Sequence, residues 1–298
     1  MKAPADEFGA WSQAALDEVE QALAREVPAD APAGLGAAMR YAVLDGGKRL
    51  RPLLALAACE AVGGRRAAAL RAAVAVELIH AYSLVHDDLP CMDNDVLRRG
   101  KPTVHVRYGQ AQAMLAGDAM QALAFEVLTP ADEAELPLAL QARLCALLAR
   151  AAGHAGMAGG QAIDLAHTGS RIDPDTLRDM HRRKTGALLQ ASVLMGAACA
   201  LPPAPAWQAL ADYGAAVGLA FQVVDDILDV TQPSATLGKT AGKDQHAAKP
   251  TYVSVLGLAA ARAQADALHA QALDALARSG LPAARLRALA ERVVDRVH

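Results

Sequence analysis

Asp87, Asp88, Asp93 and Asp95 fall within nine residues of the stretch LIHAYSLVHDDLPCMDNDVLRRGKPTVH, and Arg98, Arg99 and Lys101 follow at once. A second acidic group, Asp225, Asp226 and Asp229, lies in AFQVVDDILDV. On a helix Asp225 and Asp229, four residues apart, share a face. Two ionised carboxylates about 6 Å apart repel by roughly 3 kcal/mol at an effective dielectric near 20. Both groups follow apolar runs, which places them toward helix C-termini, the negative end of the macrodipole. Pro90 disfavours continuing the first helix beyond its cluster. Carboxylates crowded in this way call for a cation. A hard divalent ion suits them, and Mg²⁺ is commonly shared between a few carboxylates and substrate phosphates. A solvated acidic face is the competing reading of either cluster alone, but two clusters, each beside an apolar helix face and basic residues, favour a site. The sequence has no glycine-rich Walker loop, so a P-loop nucleotide site does not account for them.

The elements that must carry these groups are helices. Hydrophobic residues make up 53% of the 298, but much of that is alanine and aromatics are only 3%. Alanine is the best helix former, whereas β-branched and aromatic residues favour strands. No Asn-Gly or Asp-Gly hairpin with alternating flanks appears, so an all-α protein without strands is expected. Pro28 and Pro32 end a first helix and Gly46-Gly47 a second, while Pro52 suits the first turn of a third. Asp173-Pro174 reads as an N-cap and first-turn proline, opening the helix that carries Lys184. Gly280-Leu281-Pro282 separates the last two helices. No composition shift, long linker or fixed repeat divides the chain, and residues 1–298 read as one domain.

Other function classes recede. A net charge of -3 gives no electrostatic footprint for nucleic acid. The N-terminus, MKAPADEFGAW, meets Asp6 and Glu7 before any apolar stretch, unlike a signal peptide. The longest apolar run, residues 186–201, is interrupted by Gln190 and Ser192 and is short of the roughly 20 residues a membrane span needs. A cytoplasmic protein is expected. Cys59, Cys91, Cys145 and Cys199 have no paired spacing and read as reduced core thiols. Residues 232–249, QPSATLGKTAGKDQHAAK, lack apolar periodicity; a surface loop and a basic lid closing on an anion both fit.

Taken in order, GGKRLRP near residue 50, DDLPCMD and DDILD resemble the short-chain trans-prenyl diphosphate synthases, over nearly the whole chain from about residue 35 onward. The likeness is nearest to bacterial farnesyl diphosphate synthases. It implies a single domain of antiparallel helices around a central cavity, a homodimer, and Mg²⁺. Asp87 and Asp93 would contact the metal from one wall and Asp225 from the other, with Asp88, Asp226 and Asp229 orienting ligands or water. Bacterial relatives often carry four aspartates where this chain reads Asp93-Asn94-Asp95-Val96, a departure that leaves a ligand role at 94 and 96 open. Lys48, Arg51, His80 and Arg99, with the backbone near Gly47, would hold isopentenyl diphosphate. Arg98, Lys184, Lys239 and Lys249 would hold the allylic partner, dimethylallyl or geranyl diphosphate.

In the same resemblance, backbone and hydroxyl dipoles at Lys184-Thr185, with the Gln222 amide, stabilise an allylic cation. Gly186 permits a kink that frees a carbonyl there, or simply packs against a neighbouring helix. GMAGGQAIDL, with Gln161 and Asp164, also matches, in a supporting role. The double bond of isopentenyl diphosphate attacks the cation, and the departing diphosphate takes the proton. Tyr82 lies five residues before Asp87, about 7.5 Å back along a helix rising 1.5 Å per residue. A bulky residue there, small Ser83 beside it and the Pro90-Cys91 insertion resemble fifteen-carbon producers. An ordinary core aromatic is the plainer reading of Tyr82. The rivals are a twenty-carbon (geranylgeranyl) synthase, a terpene cyclase, and a non-catalytic subunit of a heteromeric synthase. A cyclase would not need the second aspartate motif or GGKRLRP, and non-catalytic subunits tend to lose the aspartates that are all present here.

Overall fold

The computed structural model describes residues 4–44, 46–132, 134, 136–170, 172–231 and 250–295. Lys239, Lys249 and the 232–249 stretch lie outside the described residues. The chain is helical almost throughout: α1 Pro4–Glu26, a 3₁₀ turn Pro32–Gly34, α2 Leu35–Val43, α3 Leu50–Ala61, α4 Arg66–Asp87, α5 Val104–Tyr108 and α6 Gln110–Val127. There follow α7 Leu138–Ala152, α8 Met157–Ala166, α9 Pro174–His181, a π-turn Arg182–Gly186, α10 Ala187–Ala198 and α11 Ala204–Thr231. The last three are α12 Tyr252–Leu256, α13 Leu258–Ser279 and α14 Ala284–Val294.

The expected breaks fall where the local chemistry put them. Asp173 caps α9, accepting from the N–H groups of Asp175 and Thr176, with Pro174 next in line. Gly280, at φ 65°, closes α13 in the left-handed conformation. The expectation of no strands is corrected in one place. Leu97–Arg98 (β1) and Lys101–Pro102 (β2) pair as a two-residue antiparallel hairpin. Its central residues, Arg99 and Gly100, both have positive φ (53° and 75°), as a type I′ turn requires. A hairpin this short has no room for alternating apolar flanks, so the usual sequence signal was absent.

Alanine and glycine let the helices close on one another. A Cβ on Gly196 of α10 would lie 2.0 Å from Ala55 O of α3, and one on Gly214 of α11 would lie 2.9 Å from Gln190 Cα of α10. These approaches set the directions of the central helices. Gly196 sits beside Ala55, and Cys199 beside Cys59, so α3 and α10 run parallel. Gly214 beside Gln190 and Gly218 beside Gly186 make α11 antiparallel to α10. Arg49, just before α3, pairs with Glu77 late in α4, and Arg66 at the start of α4 pairs with Glu60 at the end of α3. The pair is therefore antiparallel. The starts of α3 and α10 and the ends of α4 and α11 consequently meet at one pole of the bundle.

Two sequence expectations need amendment. Helix α4 is long and apolar enough to cross a membrane, although Arg71 and Glu77 interrupt its apolar run. Two-thirds of its apolar window (67%) is buried inside the bundle, which accounts for that composition. The cysteines are not all core residues: Cys59 and Cys199 are buried, Cys145 is partly covered and Cys91 is exposed. Cys91 sits in the turn after Pro90, outside the apolar faces.

Candidate active site

The first aspartate group ends α4 and continues into a loop that folds back on it. Asp87 is the last helical residue and Asp88 its C-cap. The N–H of Asp93 donates to Asp87 O at 2.8 Å and that of Asp95 to Asp88 O at 3.1 Å, so residues six or seven apart come side by side. Buried Leu89 anchors the loop, its carbonyl accepting from Met92 and Asn94. Asn94 takes φ 51°, a conformation Asn tolerates better than most residues. Asp88 is 2% exposed and is gripped by Arg98, whose Nε and Nη2 donate to its carboxylate at 2.6–3.0 Å. Arg98 is thus tied to the acidic cluster by the hairpin that carries it.

The second group occupies the last two turns of α11. Asp226 and Asp229 are buried, while Asp225 is partly exposed. Asp226 accepts from Gln222 Nε2 and from the N–H of Tyr252, both at 2.8 Å. His181 Nε2 lies 3.7 Å from the same carboxylate, and its ring stacks on Tyr252 with centroids 5.3 Å apart. Burial pushes the His181 imidazole down to about 4.

Beside the second group lies the π-turn. Widening the helix at residues 182–186 presents Lys184 and Thr185 where regular turns would carry them elsewhere. Lys184 Nζ donates to buried Asp164 Oδ2 at 2.5 Å, and Thr185 Oγ1 donates to Gln222 Oε1 at 2.8 Å. Gly186 ends the π-turn, and its packing reading holds: Gly218 lies on it, since a Cβ at 218 would meet Gly186 Cα at 2.8 Å. A Cβ on Gly160 would lie 2.2 Å from Lys184 N, which explains the glycine of GMAGGQAIDL. Gly160 brings α8 against the turn and Asp164, one helical turn on, catches the lysine.

The basic group gathers at the start of α3. Arg51 is largely buried, with Nε shielded from solvent and without a hydrogen-bond partner among the described residues. Burial, partly offset by Glu77, lowers its guanidinium to about 10. Arg99 reaches across from the hairpin to donate to Gly46 O at 2.7 Å, and a Cβ on Gly47 would lie 2.9 Å from its Nη1. His80 is pushed well below 6.5, first by burial and then by Arg51, Arg99, Arg98 and Arg49. Lys48 is exposed at the rim.

Two residues of this group escaped the sequence reading. Arg49, 4% exposed and at φ 46°, donates to Glu20, Glu77 and Val43 O. Glu77, 3% exposed, is its buried partner. The available signal was a lone carboxylate in the apolar run AVAVELIHA, which a buried ion pair explains.

Tyr82 is half-buried, its ring edge-on to His86 at 5.7 Å, and Ser83 Oγ donates to His80 O. His86 in turn donates to Met114 O of α6, where a Cβ on Gly117 would collide with its ring. A separate cavity of about 460 Å³, lined by Arg25, Arg65 and Arg71 among others, lies by the start of α4. It is at the opposite pole from the aspartates and holds none of the predicted residues.

Acidic helix ends facing basic helix starts suit substrates that are themselves anions, and this arrangement in an all-helical bundle is that of an isoprenyl diphosphate synthase. The polyprenyl synthetase family profile matches residues 32–279, and the chain belongs to that family. A probable farnesyl diphosphate synthase of Sinorhizobium fredii is 49% identical over 288 residues, 95% of this chain and 86% of its own. Geranylgeranyl pyrophosphate synthase 9 of Arabidopsis thaliana is 48% identical over 87% of this chain and 73% of its own. Among solved structures, an FPP/GFPP synthase of Zymomonas mobilis superposes with a TM-score of 0.85 at 41% identity, covering 97% of this chain and 99% of that one. A geranyltransferase of Helicobacter pylori complexed with magnesium and isoprenyl diphosphate gives 0.83 at 32% identity, covering 99% and 98%.

Proposed function

We propose that the protein joins dimethylallyl or geranyl diphosphate head to tail with isopentenyl diphosphate to give farnesyl diphosphate. The observation that carries this reading is the meeting of two aspartate-bearing helix ends and two cation-bearing helix starts at one pole, enough for two diphosphates. Arg51, His80, Arg99 and Lys48, with the backbone at Gly47, hold isopentenyl diphosphate. Neutral His80 donates one hydrogen bond without adding charge to the arginines around it.

Lys184 and Arg98 face the allylic diphosphate, together with Lys239 and Lys249 from outside the described residues. Among the described residues no three His, Cys, Asp or Glu side chains form a closed metal cage. Carboxylates supplied in ones and twos suit Mg²⁺, which keeps positions for substrate oxygens. Asp87, Asp93 and Asp225 are its holders, with Asp229 alongside, while the anchored carboxylates Asp88 and Asp226 fix their neighbours. When bound, the ion supplies positive charge to the leaving diphosphate.

As the allylic C–O bond breaks, Thr185 presents oxygen lone pairs to the nascent cation, because its proton is committed to Gln222. The π-turn frees backbone carbonyl dipoles for the same task. The isopentenyl double bond then forms the new C–C bond, and the released diphosphate accepts the proton lost from the product. Tyr82 bounds the growing tail. The enzyme works as a cytoplasmic homodimer; exposed Met114 and Leu115 on α6 support an interface between copies.

Incubating the purified chain alone with Mg²⁺, labelled isopentenyl diphosphate and each allylic starter tests the reading. A fifteen-carbon product is expected. Mainly twenty-carbon product would establish the geranylgeranyl alternative, and no turnover without a second protein would point to a non-catalytic subunit.

A further inference from the structure

Gln161 stands out among the buried polar side chains. Both amide atoms, Oε1 and Nε2, are shielded from solvent, and neither has a hydrogen-bond partner among the described residues. A buried, unsatisfied amide destabilises a fold, and an apolar side chain of the same shape would serve packing better. The residue sits on α8 between Gly160, whose Cα presses on the Lys184 backbone, and Asp164, which holds the Lys184 ammonium. Residues 161 and 164 are three apart and share a helix face, so the amide lies on the side of α8 that serves the π-turn. The neighbouring amide of Gln222 differs in having both ends engaged, by Thr185 and Asp226.

We propose that Gln161 is a substrate contact of the allylic half-site: its amide is left unspent by the protein and is taken up when the allylic diphosphate enters beside Lys184. This deepens the function proposed above and rests on it. The amide then distinguishes the two substrates, since the isopentenyl half-site is built on α3, α4 and the hairpin instead.

Gln161→Leu and Gln161→Met, both close in volume and without hydrogen-bonding capacity, test the proposal by thermal melting and steady-state kinetics with each substrate varied in turn. The expected result is opposition. The melting temperature stays level or rises, kcat/KM for the allylic substrate falls about tenfold or more, and KM for isopentenyl diphosphate stays within about twofold, as loss of one buried polar contact predicts. Unchanged kinetics would mean that resident water satisfies the amide. A lower melting temperature with activity falling in step, or failure of both variants to fold, would make the residue structural. Either outcome overturns the proposal. The unsubstituted enzyme run alongside separates the failures: its inactivity would sink the prenyltransferase reading, whereas an active enzyme indifferent to Gln161→Leu sinks only this inference.

Discussion

The hydroxyl of Thr185 donates to Oε1 of Gln222 at 2.8 Å, joining residues 37 apart and locking the π-turn to α11. The contact exists because Gly218 lets Gly186 approach one turn earlier along α11. On the function proposed above, the catalytic geometry therefore depends on Gly218, which is not among the substrate-binding residues. Gly218→Ala is expected to cost about 1–3 kcal/mol, as overpacking of a tight contact does. The loss of kcat should exceed what the unfolded fraction explains, because the displaced turn carries Lys184 and Thr185. Melting curves paired with kcat at a temperature where the variant is fully folded provide the check.

Neighbouring aspartates should separate by role. Asp225→Asn removes a partly exposed negative charge from a crowded helix end; stability should hold while kcat falls by about 10²-fold, the scale for losing one preorganised electrostatic group. Asp226→Ala strands the Gln222 amide and the Tyr252 N–H, at roughly 1–3 kcal/mol for each buried donor left unpaired. Urea denaturation of both variants distinguishes them. Equal destabilisation would contradict the assignment.

If Arg51 holds a diphosphate as proposed above, its burial trades stability for function. Its buried Nε has no partner among the described residues, so Arg51→Met should melt no lower than the parent. Inorganic diphosphate should raise the melting temperature of the parent through binding to the folded state, and raise that of Arg51→Met much less. An equal rise in both would remove Arg51 from the anion site.

His80 should make the fold acid-sensitive. Burial and the surrounding guanidinium groups hold it neutral well below its ordinary 6.5. The unfolded chain binds a proton at His80 near 6.5 that the folded chain refuses, so its contribution is intact above that pH and is lost progressively as pH falls toward the depressed folded value. His80→Gln should flatten this part of the stability profile between pH 7.5 and 5.5, measured by denaturant melts. A variant as acid-sensitive as the parent would assign the effect elsewhere.

On the function proposed above, Tyr82 bounds the growing product tail. Tyr82→Ala should shift product from fifteen toward twenty carbons, read by chromatography of the dephosphorylated products. Unchanged length would return Tyr82 to an ordinary packing role beside His86.

Local chemistry was enough to read the helices, their caps and the two aspartate motifs, because alanine content, prolines and an N-cap aspartate act over a few residues. The same reading grouped Lys184, Thr185 and Gln222 around one expected cation through resemblance, but nothing local could show that Thr185 and Gln222 touch. The hairpin at residues 97–102 escaped it, since a turn built on Arg99-Gly100 carries little signal. So did the Arg49–Glu77 pair, whose members stand 28 residues apart. Only the tertiary structure decided that four helix ends share one pole. That follows from helix direction, fixed by close approaches at Gly196, Gly214 and Gly218 that only glycine, lacking a Cβ, allows, and by the Arg49–Glu77 and Arg66–Glu60 pairs between α3 and α4. Residue types declared which chemistry was available, and packing decided where the charges would meet.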